Sequence, residues 1–412
     1  MEFVELTETE YETYWESHPL KTFLSAVEIG KLRQKRSWNV NYVGVKESGR
    51  ICGAAMLLSR KNRLNMYEFY SPRGYLLDYS NKELLEFFTK EITKYIKKHK
   101  GYILRIDPYI INKERDRDGN IVENGIDNNK IVKNLEKIGF KKVPSKDNEQ
   151  VSWMFSLDLD GKTEEDILNE MKANTRNIIR KAEKSGIKIK EISYNELSKF
   201  NHILKETAKR RNFKSRNADY YEDMYKLFSP KNEVKYYVSE LNINDYVEYL
   251  EKELHEKLLK LDTNNIKSTR KRELEKDISS LTRKIAEAKD IKNKTNSDII
   301  TLSGSMFMLI HPEIIYLSSG NYEEYLKFNS QYLLQWELIK YGINNGFKKH
   351  NFYGIPENIN EHPNNYGIYE FKKGFNGVVE ELIGEYELPI NIYYYISKFF
   401  HKLKEVKYAL HL

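Results

Sequence analysis

Cysteine is almost missing from this sequence. Its 412 residues include one, Cys52, so neither an internal disulfide nor a cysteine-built metal site can form within the chain. That usage suits a reducing compartment, and a cytoplasmic location is expected. No stretch approaches the roughly 20 apolar residues that cross a bilayer. The apolar runs present, such as ICGAAMLL and GSMFMLI, have strand length. The opening segment MEFVELTETEYETYW is acidic and lacks the basic and apolar regions of an export signal. Any membrane association is therefore expected to be peripheral, at the inner face of the plasma membrane. The common catalytic signatures are missing as well. There is no G-x-S-x-G elbow, no Walker lysine loop and no G-x-G-x-x-G fingerprint, and the 9 histidines show no metal-binding spacing. Cys52 itself sits in an apolar run, where a packing role is the simpler reading. Neither a metal nor a cofactor is expected. An enzyme built this way has to position two substrates, one of which arrives already activated.

What is present is a chain of ordinary globular composition, 40% hydrophobic, long enough for two domains. Lysine plus arginine number 68 against 61 acids, a formal charge of +7 that suits an anionic partner without naming one. Two stretches share one grammar, from ICGAAMLL to LRIDPY and from TLSGSMFMLI to NFYGI. Each opens with a strand carrying an early glycine, Gly53 or Gly304. Each continues through a second strand and a glycine-bearing loop into an amphipathic helix, then a glycine, Gly101 or Gly346, and a final strand. Ser80 and Glu83 read as a capping box for the first of these helices. Between the repeats, residues 245–296 lack proline and glycine. Val247, Leu250, Leu254 and Leu261 form one apolar seam, and Leu274, Ile278, Leu281, Ile285 and Ala288 another, interrupted by DTNN. The reading is an α/β (α+β) chain: a first domain over 1–148, a second over 149–241 and 298–412, and an antiparallel coiled-coil hairpin over 242–297. The C-terminal tail is allowed to pack on the first domain.

Two segments carry charge in a pattern. In TEEDILNEMKANTRNIIRKAEKSG, read as one helix from Glu164 to Lys184, Lys172, Arg176, Arg180 and Lys184 recur at every fourth position. This stripe is either a solvated face matched to the helix dipole or a contact for a phosphate backbone. In YEFKKGFNG, Lys372 and Lys373 stand between Phe371 and Phe375. Either they solvate a turn, or they meet an anion.

The repeated strand-loop-helix unit resembles the GNAT acetyltransferase fold, in which a glycine-rich loop at a helix N-terminus takes the cofactor pyrophosphate. At the matching places this chain has YSPRGYLLDYS and YLSSGNYEEY, neither of which is the R-x-x-G-x-G/A loop of acetyl-CoA users. A wider resemblance runs nearly end to end. YSPRGYLLDY, LRIDPY, MKANTRNIIRKAEKSG, TAKRRNF, YLLQWELIKYGINNGF and YGIYEFKKGFNGVVEELIGEYELPIN, with the hairpin in the gap, together resemble the Fem family of tRNA-dependent aminoacyltransferases. The resemblance implies two GNAT-like domains, an aminoacyl-tRNA donor and an acceptor amine on the stem peptide of a peptidoglycan precursor. That precursor is either lipid II or UDP-MurNAc-pentapeptide, and no DNA partner is implied. Lys372 then corresponds to the lysine thought to stabilise the oxyanion, and Lys373 to a phosphate contact. Asp107, before Pro108 at a strand end, is either a structural turn residue or the carboxylate that holds the acceptor amine and helps deprotonate it. Tyr70, Arg73 and Phe371 fall near the substrate cleft. Arg210 or Arg211 meets a precursor diphosphate, the choice being open because this chain reads RRNF. The stripe from Lys172 to Lys184 is assigned to tRNA. Glycine, alanine and serine remain open as the transferred residue. The alternatives are a tRNA-binding adaptor without chemistry and a CoA-dependent N-acyltransferase.

Overall fold

A computed structural model describes residues 1–62, 64–262, 266–295, 297–357 and 363–400. Its strands and helices form a mixed α/β fold that divides into two compact units, one of residues 1–157 with 351–412 and one of residues 158–350. The expected domain boundary lay at 148/149, with 298–412 in the second domain and its C-terminal tail allowed to pack on the first. The contacts group 351–412 with the first unit, because the strand Tyr386–Pro389 hydrogen-bonds between Gly101–Ile106 and Lys141–Lys142.

In the first unit the strands Glu2–Glu5, Asn39–Glu47, Arg50–Lys61, Tyr67–Ser71, Gly101–Ile106, Tyr386–Pro389 and Lys141–Lys142 lie side by side in that order. Arg50–Lys61 is buried on both faces from Gly53 to Ser59, as its unbroken apolar run requires. Tyr67–Ser71 and Gly101–Ile106 are parallel, so the chain between them must cross over, and it does so through the helix Lys82–Lys98. That helix buries Leu84, Leu85, Phe88, Ile92, Tyr95 and Ile96, the stripe its period dictates. Its cap differs from the expectation. Asp78 captures both the amide and the hydroxyl of Ser80, at 2.8 and 2.7 Å. The helix therefore starts one residue later, with the Asn81 side chain accepting from the Leu84 amide.

The parallel register sets Ser71 beside Ile106, so the loops that follow, SPRG and DPY, leave the sheet together. The antiparallel register sets Tyr386 against Ile106, bringing Glu385 to the same edge. Three strand ends thus converge on one place.

In the second unit the strands Lys188–Glu191, Val234–Asn242, Ile299–Ile310 and Glu313–Asn321 are antiparallel neighbours in that order. The helices Leu197–Arg211 and Ser330–Asn344 carry much of its buried surface. The second copy of the repeated grammar is present as the strands Ile299–Ile310 and Glu313–Asn321 followed by Ser330–Asn344 and Lys349–Gly354. The expected hairpin consists of the helices Ile243–Leu261 and Ser268–Lys294, flanked by strands as foreseen. Leu250, Leu274, Leu281, Ile285 and Ala288 are buried along it. Lys257–Asp277 at 2.5 Å and Lys289–Glu251 at 2.7 Å tie the antiparallel pair. The expected turn residues 263–265 lie outside the described residues.

The single helix expected from Glu164 to Lys184 is two helices, Glu164–Glu170 and Ala173–Lys184, broken where Met171 and Lys172 are extended. Arg176 explains the break. Its guanidinium donates to the carbonyls of Leu168, Asn169 and Met171 at 3.0, 3.0 and 2.5 Å, satisfying the orphan acceptors at the end of the first helix. Among the described residues no helix is long and apolar enough to cross a membrane.

Candidate active site

The convergence of strand ends in the first unit places Asp107, Arg73 and Tyr70 in one buried cluster. Asp107 follows the strand Gly101–Ile106 and is 3% exposed. Its Oδ1 accepts from the Tyr70 hydroxyl at 2.9 Å and from the Arg73 amide at 2.8 Å. Its Oδ2 lies 3.5 Å from Arg73 Nη1 and takes no hydrogen bond from the described residues. Burial raises the Asp107 carboxyl to about 6, against the opposing pull of the Arg73 guanidinium. The result is a buried carboxylate that titrates near neutrality, with one oxygen held by the Arg73 ion pair alone.

Arg73 is also buried, donates to the Val151 carbonyl at 3.2 Å and stands over the Tyr109 ring at 5.4 Å. Its backbone is left-handed, with φ of 58°. A bulky residue holds that conformation only when its surroundings impose it. Here the bond from its amide to Asp107 and the Ser71–Gly74 turn do so. Gly74 is required as well: with φ of 74°, an added Cβ would come within 3.0 Å of Pro108 Cα.

Lys372 lies in the last turn of the helix Pro363–Lys373. A lysine in a solvated turn is exposed, whereas Lys372 is 5% exposed. Its ammonium donates to the carbonyls of Gly354 at 2.6 Å and Tyr353 at 3.2 Å. Burial pulls its pKa down to about 7. Around it Phe352 and Phe375 are fully buried and meet at a tilt with centroids 5.1 Å apart, and Phe371 meets Phe375 edge-on at 5.7 Å. Tyr353, like Arg73, is left-handed at 64°. The Tyr353 phenol is within electrostatic reach of Arg73. The Tyr353 carbonyl accepts from Lys372. The segment after Lys372 is pinned by Gly377, where an added Cβ would run into the Ser156 carbonyl oxygen.

Lys373 has a different environment. It pairs with Asp118, stands 3.8 Å from Glu370 and lies over the Tyr369 ring at 5.4 Å. A phosphate would have to compete with that carboxylate.

Sequence reasoning passed over two residues of this cluster, Arg105 and Glu385. Glu385 is buried, accepts from the Glu149 amide at 2.6 Å and pairs with the Arg105 guanidinium. Burial raises its carboxyl to about 7, and the Asp107 charge adds to the effect. Both residues fall inside quoted motifs, LRIDPY and GEYELPIN. The available signal was the polar positions of a strand end whose apolar neighbours point to the core.

The remaining expected contacts lie in the second unit. Arg210 and Arg211 end the helix Leu197–Arg211. Arg210 is half-buried beside a cleft of about 440 Å³ that also includes Lys209, Glu206 and Tyr322, and its Nη1 makes no hydrogen bond among the described residues. Arg211 is exposed. Of the four-residue stripe, Arg180 and Lys184 are exposed on Ala173–Lys184, Arg176 is committed to the helix break, and Lys172 is the cap residue before the helix.

Comparison with known proteins agrees with this architecture. Aminoacyltransferase FemA of Staphylococcus aureus strain bovine RF122 / ET3-1 is 29% identical over 423 residues, covering 99% of each chain, and FemA of strain N315 matches equally. A crystal structure of FemX superposes with a TM-score of 0.73 at 24% identity, covering 94% of this chain and 97% of that one, and so shares its fold. The model of the FemAB family matches residues 6–402, and the chain belongs to that family.

Proposed function

We propose that this chain is a tRNA-dependent aminoacyltransferase of peptidoglycan bridge synthesis. It moves an amino acid from aminoacyl-tRNA to the stem-peptide amine of a cell-wall precursor, either lipid II or UDP-MurNAc-pentapeptide. The observation that carries the reading is the buried ammonium of Lys372, in the same unit as the buried Asp107 carboxylate, in a chain aligned end to end with proteins named aminoacyltransferases.

The chemistry follows from what an aminoacyl ester lacks and has. It is already activated, so no protein nucleophile is needed. Attack by the amine turns the ester carbonyl oxygen into an oxyanion, which requires a donor held in a dry site. Lys372 is such a donor, held by two carbonyls that keep its Nζ in place without neutralising it. The acceptor amine, with an ordinary pKa near about 10.4, must lose a proton before it attacks. Asp107 Oδ2 receives that N–H and, titrating at about 6, can take the proton. Arg73 and Tyr70 act through Asp107 by fixing its orientation. Phe371 walls the Lys372 side. Arg210, Arg211, Arg180 and Lys184 are the cations assigned to substrate phosphates, with Lys373 available where Asp118 yields.

The test is incubation with a pool of labelled aminoacyl-tRNAs and a lipid-linked or nucleotide-linked precursor. The expected product carries one amino acid on the stem peptide, and its formation stops when ribonuclease is added first. Product that survives ribonuclease and requires CoA overturns the reading in favour of an N-acyltransferase. Retention of tRNA with no transfer to either precursor overturns it in favour of an adaptor.

A further inference from the structure

The C-terminal segment of the first unit is helical over 393–400, and its faces are inverted. The side toward the body is anchored by Tyr394, buried with Tyr102 and Ile103, whose hydroxyl donates to Glu387 at 2.6 Å. Asn391 adds a bond to the Gly101 carbonyl at 2.9 Å. The side toward solvent consists of Ile392, Tyr393, Tyr395, Ile396, Phe399 and Phe400, each between 36% and 65% exposed. At about 3.6 residues per turn these six fall on one continuous arc opposite Tyr394. An ordinary surface helix carries polar residues there. A contiguous apolar patch of this kind marks a contact surface.

The rim is cationic. Lys141 stands 5.4 and 5.3 Å from the Tyr394 and Tyr395 rings, and Lys398, on the helix flank, lies over the Tyr394 ring and pairs with Glu387 at 2.6 Å, while Lys142 points to the opposite face of the edge strand. Lysines on an edge strand by themselves only discourage strand pairing. Around an exposed aromatic face they have a second consequence. A symmetric contact between two copies would bring each rim of lysines toward its counterpart. An anionic bilayer surface satisfies both parts at once: phosphates meet the lysines, and the aromatic and aliphatic side chains enter the headgroup boundary, where tyrosine and phenylalanine are favoured.

We infer that the face formed by residues 392–400, with Lys141 and Lys398, docks the protein on the surface of an anionic membrane. The inference stands apart from the transferase reading, since it uses none of the residues assigned to the reaction and is tested without substrate.

The experiment is flotation of the full chain with vesicles of phosphatidylcholine, with and without phosphatidylglycerol. The protein is expected to float with the anionic vesicles, and less so as salt rises. Phe399→Ser with Phe400→Ser should leave the melting temperature unchanged, because both side chains point outward, and should lower partitioning at least tenfold. Lys141→Gln should lower binding to anionic vesicles by roughly fivefold and flatten the salt dependence, while Lys142→Gln, on the opposite face of the strand, should do less. Leu258→Ser with Leu259→Ser, which removes exposed apolar residues from the hairpin, should change nothing. The inference is overturned if the parent floats with neither vesicle, or if the Phe399/Phe400 variant floats as well as the parent. It is also overturned if those substitutions abolish a concentration-dependent dimer while leaving flotation absent throughout.

Discussion

Replacing Lys372 by methionine keeps the length of the side chain and removes its charge, and the clearest consequence is in the pH dependence of stability. In the unfolded chain Lys372 stays protonated to about pH 10.5, whereas in the fold burial brings its pKa to about 7. Between those values the unfolded state binds more protons, so stability rises with pH. One proton is worth about 1.4 kcal/mol per pH unit, and from pH 7.5 to 9 the gain approaches 2 kcal/mol. The raised carboxyls work the other way and at lower pH. Asp107, at about 6, and Glu385, at about 7, are protonated more readily in the fold, so stability falls as pH climbs from about 4 to 7. The absolute stability of Lys372→Met is a poorer readout, since relief of a buried charge is offset by two carbonyls, of Gly354 and Tyr353, left without their donor. Urea unfolding of parent and variant at pH 7.5, 8.2 and 9 separates these effects. The parent should gain stability across the series and Lys372→Met should be flat. Equal slopes in the two proteins would mean that Lys372 is solvated, and the oxyanion argument would lose its basis.

Asp107→Asn should keep the bonds to Tyr70 and the Arg73 amide while losing the charge. The rate should then fall by about 10²–10⁴, with loss of the limb of kcat/KM that rises through about pH 6 in the parent. A retained limb would move the essential base elsewhere. Gly377→Ala drives a Cβ into the Ser156 carbonyl oxygen and should lower stability by roughly 1–3 kcal/mol or more, read as the urea midpoint. An unchanged midpoint would deny the close approach. Leu250→Asp with Leu281→Asp should melt the helical hairpin, visible as lost helical circular dichroism, while the main unfolding transition survives. Loss of the whole transition would make the hairpin part of the core.

The sequence made some of this legible and hid the rest for identifiable reasons. The strand-strand-helix-strand repeat and the hairpin were readable because apolar period and punctuation agree there at every level. The motifs SPRG and DPY were readable as separate signals. Their meeting depended on the parallel register that sets Ser71 beside Ile106, which no local pattern encodes. The lysine pair was conspicuous, but helix phase decides which member is buried. Lys372 follows Tyr369 by three residues on the inward face, whereas Lys373 follows Glu370 on the outward one. The break at Met171 was invisible because the charge pattern runs through it, and only Arg176 reaching back to three carbonyls shows that the chain stops and restarts. Ser80 and Asn81 are both good caps, and the contest was settled by Asp78, which took the serine. Glu385 was missed because its partner, Arg105, comes from a strand distant in sequence.

The central claim is that Lys372 stabilises charge that exists mainly in the transition state. The most direct measurement is the rate of amino-acid transfer by parent and Lys372→Met at saturating aminoacyl-tRNA and precursor, with precursor binding measured in parallel. An interaction made mainly at the transition state lowers the turnover number and leaves ground-state affinity alone. The account predicts a fall on the order of 10²–10³ in rate with little change in precursor binding. A variant that transfers at the parent rate, or one whose only defect is weaker binding, would contradict it.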